Sequence, residues 1–325
     1  MPSTLYVISL IRRYFQMYWL KPFDAVNDAA NAVALLQADW SKGPALEIGG
    51  GDGVFSFIMH GGAFGFSDDR YDQTDLSRSD DIYDAYQKNS PLNIRKPSRF
   101  QYDAGIDLKL SHLLKSKETQ LYRDNNLVSA KPEHLPIKDD TFSTVFLYTF
   151  HGLTDYSSTL KEIRRVLNNE GTLLMIAAND IVKEHFVCHK LHKYFEMKGW
   201  KKLSDYFQKL DGRRYEEIGG IFSKSIEEWN KVLYESGFRI EEVYTQVSPF
   251  LWKLYDTQTR PVLKLMIRCN QFLARVHLKL PIKFLWMCLW LPVLMVSYLL
   301  MAVPNKLKAD SIPQGVFFTV KAKTV

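Results

Sequence analysis

ALEIGGGDGVFSF, residues 45–57, sets four glycines within five positions between an apolar run and a helix-like one, with Glu47 before them and Asp52 among them. Leu46 to Ile48 reads as the end of a buried strand and Val54 to Met59 as the start of a helix. The glycines therefore occupy a strand-to-helix turn, where a backbone without Cβ atoms lets a ligand approach closely. The dinucleotide fingerprint GxGxxG does not fit, because Gly49, Gly51 and Gly53 are spaced GxGxG and Val54 stands where the third glycine should fall. A phosphate-cradling P-loop fails as well, for want of GK[ST].

Working outward, apolar runs at 45–48, 126–129, 144–149 and 171–177 alternate with helical patterns at 157–167 and 225–236. That alternation predicts an α/β fold, a mostly parallel sheet with helices on both faces. Ligands in such sheets lie at the carboxyl ends of the strands, which is where the glycine turn sits.

Three segments in order carry a family resemblance: EIGGGDG (47–53), PEHLPIKDDTFSTVFLYTFHGL (132–153) and LKEIRRVLNNEGTLLMIA (160–177). They resemble motif I, the "AExLPFxDxSFDxV" segment and the "EixRVLkpGGxlxi" segment of the class I S-adenosylmethionine-dependent methyltransferases, over roughly residues 40–250 and the C-terminal end. The resemblance implies a Rossmann-like sheet of seven strands, with S-adenosyl-L-methionine held by Glu47, Gly49, Gly50, Gly51, Asp52 and Gly53. It also implies an acid at the end of the second strand on the ribose hydroxyls. Asp75, 28 residues after Glu47, is the first choice, with Asp68, Asp69 and Asp72 as rivals. Lys131 stands where many members have an acid facing the adenine amino group, so backbone near Pro132 and Glu133 is expected to take that role. His151, just past the fourth strand, is the candidate general base and Tyr148 the second catalytic candidate, with Asp155 beside the same mouth. The residues of CHKLH (188–192) form no metal site, since successive helical positions cannot face one ion.

Residues 181–224, rich in Lys, aromatic residues and His, read as a lid-like insertion over the acceptor. Residues 284–303 are twenty positions without a charge, long enough to span a bilayer. The flanking strands 238–247 and 315–323 are expected in one sheet, which keeps both ends on one side. Pro292 would divide the segment, so a monotopic hairpin or a pair of oblique helices is expected. No Asp or Glu occurs between Asp256 and Asp310, while eight Lys or Arg do, among them Arg260, Lys264, Arg268, Arg275, Lys279 and Lys283. These basic residues are expected to rest on anionic headgroups.

The organisation expected is an N-terminal helical segment (1–40), in which the amphipathic stretch 5–20 packs on the domain or rests on a membrane, then the cofactor-binding domain (41–250). A membrane insertion (251–312) and a returning strand (313–325) complete it. The chain has 325 residues, 46% hydrophobic, enough for one α/β core and an appendage. Its three cysteines are too scattered for a disulfide framework. No module for nucleic acid is present. The expectation is a methyltransferase on the cytoplasmic face of a membrane, acting on a lipid or lipid-linked small molecule, at oxygen by preference. The alternatives are a soluble small-molecule methyltransferase forming a homodimer through the apolar segment, and a non-catalytic methyltransferase-like membrane subunit.

Overall fold

The computed structural model describes residues 2–71, 92–148, 155–217, 223–259, 263–307 and 315–325. Two helices open the chain, α1 (Thr4–Met17) and α2 (Pro22–Leu35). β1 (Ala45–Ile48) runs through the glycine loop into α3 (Val54–Met59). A small antiparallel pair, β2 (Ala63–Phe64) and β3 (Ile94–Lys96), precedes β4 (Ala104–Asp107), α4 (Leu110–Lys117) and β5 (Leu127–Ser129). β6 (Phe142–Leu147), α5 (Tyr156–Val166) and β7 (Leu167–Ala178) follow. Helices α6 (Val187–Met197), α7 (Lys201–Glu217) and α8 (Ile226–Glu235) lead to β8 (Phe238–Gln246). Helices α9 (Pro249–Thr259), α10 (Leu263–Arg275) and α11 (Lys279–Met301), then β9 (Asn305–Lys306), lead to β10 (Phe317–Thr324).

The main sheet runs in the order β5-β4-β1-β6-β7-β10-β8-β9, parallel from β5 to β7, with β10 inserted antiparallel between β7 and β8. Seven strands were expected and the described residues form eight in this sheet, because the short β9 adds to the edge of β8. The strand beside β1 on the second-strand side is Ala104–Asp107, so the acid ending it is Asp107, whereas Asp75 lies outside the described residues. The intervening stretch instead holds the β2–β3 pair and residues 72–91, which lie outside the described residues.

Side-chain alternation divides the core in two. Leu173, Met175 and Ala177 of β7 face Leu160, Ile163, Trp229 and Leu233 of α5 and α8, whereas Leu174, Ile176 and Ala178 join the opposite cluster with α1, α2, α3 and α11. Helix α2 is small-residue-rich, begins with Pro22 in its first turn, and is buried along 13 of its 14 residues. The amphipathic N-terminal stretch packs on the domain. Leu10, Ile11, Tyr14, Phe15 and Met17 of α1 are buried, and the Tyr14 hydroxyl donates to the Phe55 carbonyl of α3 at 2.9 Å.

Two expectations about the C-terminal insertion are corrected. Lys279–Met301 is one continuous helix with Pro292 inside it, not two halves. A proline lacks only its own amide hydrogen bond, and packing of Met287, Leu294 and Tyr298 against the domain holds the turns on either side. Lys279 and Lys283, expected at a lipid surface, are buried. Their ammonium groups lie 2.8 and 3.6 Å from the Asp69 carboxylate, and Lys283 also donates to the Phe66 and Asp68 carbonyls at 3.0 and 2.8 Å. A buried ammonium needs a carboxylate and acceptors more than it needs a headgroup.

Candidate active site

The glycine loop is bent by three left-handed residues, Gly49, Gly51 and Gly53, with φ of 72°, 60° and 73°. Gly50 is required for a different reason: a Cβ there would stand 2.6 Å from the Glu47 carboxyl carbon. The loop is pinned to its neighbours by Gly49 N–H on the Ile106 carbonyl (2.8 Å) and by Gly53 N–H on the Gly50 carbonyl (3.0 Å).

Glu47 is buried beneath the loop, accepting from the Ser56 hydroxyl and from the Tyr122 hydroxyl at 2.5 Å. Burial pushes its carboxyl up to about 7, against the pull of those two hydrogen bonds. Glu47 thus underpins the loop from below. Asp52 is also buried, accepting from Val54 N–H at 3.2 Å and pairing with Arg70, whose guanidinium lies 4.9 Å over the Tyr18 ring.

Asp107 ends β4, directly beside the loop. One carboxylate oxygen accepts from Gly51 N–H at 3.0 Å and the other from Lys109 N–H at 2.9 Å, while His112 Nδ1 lies 3.8 Å away. An acid at the carboxyl end of the strand beside β1 is the position the resemblance assigned to the ribose. Asp75, chosen for it from the sequence, and its rival Asp72 lie outside the described residues. Asp69 is committed to Lys279, Lys283 and the Trp19 indole, which donates at 3.0 Å, and Asp68 accepts from Asn93 N–H at 2.9 Å. The signal for Asp107 was present as an apolar, acid-ended run, AGID. It comes 60 residues after Glu47, farther than the acids at 68–75.

Beyond β5, Ala130 N–H donates to the Asp107 carbonyl at 3.3 Å, which brings the segment carrying Lys131, Pro132 and Glu133 to the same end of the sheet. Lys131 is exposed and Pro132 is buried. Glu133 turns toward α5, accepting from Asp155 N–H at 3.3 Å. Asp155, expected beside the acceptor mouth, caps α5 instead, accepting from Ser157 and Ser158 N–H at 2.9 and 3.1 Å. Tyr148 follows β6, its amide on the Ile48 carbonyl at 3.1 Å and its ring 4.7 Å from Phe55. His151 lies outside the described residues.

A buried carboxylate that the sequence did not single out, Asp28 of α2, accepts from Tyr18 and from Asn27 and is pushed up to about 7, chiefly by burial and then by Asp24. It shares electrostatic contact with Tyr14, Tyr18 and Arg70, and Tyr148 acts on the same two tyrosines. The histidines of CHKLH are engaged elsewhere: His189 Nδ1 lies 2.8 Å from Asp211 and His192 Nδ1 2.9 Å from the Ser204 hydroxyl, joining α6 to α7. A depression lined by Trp40, Pro44, Arg99, Asp103 and Arg123 opens at the amino ends of β1 and β4, away from the glycine loop, and takes no part in the site.

The donor set fits S-adenosyl-L-methionine. Glycine backbone without Cβ atoms offers close approach, and the carboxylate of Asp107 has lone pairs left for a vicinal diol. Residues 101–175 match the family model described as a methyltransferase domain. An uncharacterised protein of Methanocaldococcus jannaschii is 33% identical over 139 residues, and the chain spans 58% of the length of that curated relative and 39% of its own. A SAM-dependent methyltransferase from Thermotoga maritima aligns over 99% of this chain and 100% of its own at 12% identity, with a TM-score of 0.48. A geranyl diphosphate methyltransferase in complex with SAM aligns over 92% of this chain and 85% of its own at 12% identity, with a TM-score of 0.45. The match across residues 101–175 makes this part of the chain similar to a methyltransferase domain, set in a mostly parallel, Rossmann-like sheet.

Proposed function

We propose that this protein methylates a lipidic or lipid-linked acceptor, at oxygen, while held on the cytoplasmic face of a membrane. The observation that carries the lipid reading is the outer face of α11. Leu285, Leu289, Val293, Val296 and Leu300 form one exposed stripe, roughly 22 Å long at 1.5 Å per residue, and Phe284 and Leu299 widen it. Only 22% of the apolar window of this helix is buried, whereas a core helix would be mostly buried. The opposite side packs on α1, α2 and α9, and Ser248 N–H at the end of β8 donates to the Met301 carbonyl at 2.7 Å. A helix bound to its domain on one side and apolar on the other suits a position along the membrane plane. Exposed Arg268 and Arg275 of α10 add attraction to anionic lipid.

S-adenosyl-L-methionine, when bound, supplies a methyl group on a sulfonium that departs as a thioether. The chain's own part is to align, to exclude water and to take a proton from a hydroxyl acceptor. Gly49, Gly50, Gly51, Gly53 and Asp107 would hold the nucleoside and amino-acid parts, and Glu47 with Ser56 and Tyr122 keeps the loop in shape.

The test is incubation of purified protein with methyl-labelled cofactor and membrane lipid extract, with vesicle flotation run in parallel. Label in a lipid product, and release from vesicles by the triple change Leu285→Ser, Leu289→Ser, Leu300→Ser, are expected. Label confined to water-soluble products, together with a dimer that the triple change separates, would replace this reading with the soluble homodimer. Tight cofactor binding with no product from any extract would favour the non-catalytic subunit.

A further inference from the structure

Helices α6 and α7 form a hairpin whose interior is self-sufficient. Phe195 stacks between Trp200 (5.6 Å, 17°) and Phe207 (5.4 Å, 12°), and the His192–Ser204 and His189–Asp211 contacts tie the two helices along their length. Gly199, with φ of 71°, makes the tight return between them. The base is held to the domain where Val187 N–H donates to Asp256 at 2.9 Å.

The far end has a different character. Met197 is 80% exposed and Trp200 57%, with Tyr194, Leu203 and Tyr206 also open to solvent. Lys193, Lys198, Lys201 and Lys202 surround them, against Glu196 and Asp205. Trp200, Tyr194 and Tyr206 each give one face to the Phe195–Phe207 stack and leave the other to solvent, as Met197 and Leu203 do. Aromatic rings with a polar edge, next to lysines whose stems can lie along hydrocarbon while the ammonium stays wet, match the chemistry of a bilayer interface. A protein partner fits less well, because lysine is depleted where protein surfaces meet.

We propose that the tip of the α6–α7 hairpin inserts into the headgroup region of an anionic bilayer, as a second anchor in addition to α11. This rests on the membrane reading of α11 for its setting but on different residues. Two weak attachments make binding firm where one leaves it marginal, and they also fix the orientation of the domain on the surface.

The experiment places an environment-sensitive fluorophore on Met197→Cys, in a chain also carrying Cys269→Ser and Cys288→Ser. A second preparation carries it on Leu289→Cys of α11. Each is titrated with vesicles of phosphatidylcholine, with or without phosphatidylglycerol. The label at 197 should brighten and shift to the blue with phosphatidylglycerol, and salt should reverse this. Met197→Ser with Trp200→Ser should weaken partitioning by about tenfold, in line with the loss of two interfacial side chains. Lys201→Gln with Lys202→Gln should remove most of the preference for anionic vesicles. Met197→Ser alone tests the same point without touching the Trp200–Phe195 stack. A silent label at 197 with a responsive one at 289 would overturn the hairpin anchor and leave α11 standing. Silence at both would overturn both. A response at 197 that depends on protein concentration without vesicles would overturn the anchor in favour of contact between copies.

Discussion

The Gly51 amide donates to the Asp107 carboxylate at 3.0 Å, so the cofactor loop after β1 and the acid ending β4 are fixed to each other. Asp107→Ala should weaken S-adenosyl-L-methionine binding by about 1.5–3 kcal/mol, roughly ten- to a hundredfold, as for other hydrogen bonds to a charged group. Calorimetry measures it. Asp75→Ala is the comparison: a larger loss there than at Asp107 would return the ribose role to Asp75.

Gly50 and Gly212 should respond oppositely to alanine. At Gly50 a Cβ would meet the buried Glu47 carboxyl at 2.6 Å, so Gly50→Ala should destabilise the domain by about 1–3 kcal/mol. At Gly212, inside α7, nothing lies within 4 Å, and Gly212→Ala should raise stability by up to about 1 kcal/mol through helix propensity. Thermal unfolding of both variants checks the pair.

Glu47 should make the protein more stable in mild acid than its composition suggests. Its folded carboxyl is raised to about 7 from 4.5, so the native state binds the proton more tightly than the unfolded chain does. The contribution is fully present below 4.5 and is lost as pH rises through about 7, at most roughly 3 kcal/mol at 1.36 kcal/mol per unit. Asp28 acts in the same direction, raised to about 7 from 3.8. Urea unfolding from pH 4.5 to 8 should show a smaller decline in Glu47→Gln than in the parent chain; equal declines would remove Glu47 as a source.

Asp69 is the carboxylate for two buried ammonium groups, Lys279 and Lys283, and also accepts from the Trp19 indole. Asp69→Ala should cost about 3–5 kcal/mol, because the lysines remain buried without it. Asp69→Ala with Lys279→Met and Lys283→Met should recover much of that loss in denaturant unfolding. No recovery would mean that Trp19, and not the ion pairs, dominates the site.

Four of the five parallel strands, β1, β5, β6 and β7, were legible as short apolar runs, and the glycine turn was legible because few residues besides glycine tolerate three left-handed positions in five. The second strand was misplaced for a physical reason too. An insertion containing its own small sheet separates Ala104–Asp107 from β1, so local pattern favoured the nearer acids.

The sequence by itself determined the glycine loop, the α/β alternation, the returning final strand and the apolar segment, because each depends on neighbours within one turn or one strand. Tertiary structure alone decided which carboxylate does what. Asp107, Asp69, Asp52 and Asp28 are the same chemical group, and their roles follow from burial and partners. Those partners are a backbone amide beside the loop, two lysines from a distant helix, an arginine 18 residues on, and a buried tyrosine. Pro292 follows the same logic. Its local effect is to break a helix, and the packing of α11 on the N-terminal helices outweighs that effect.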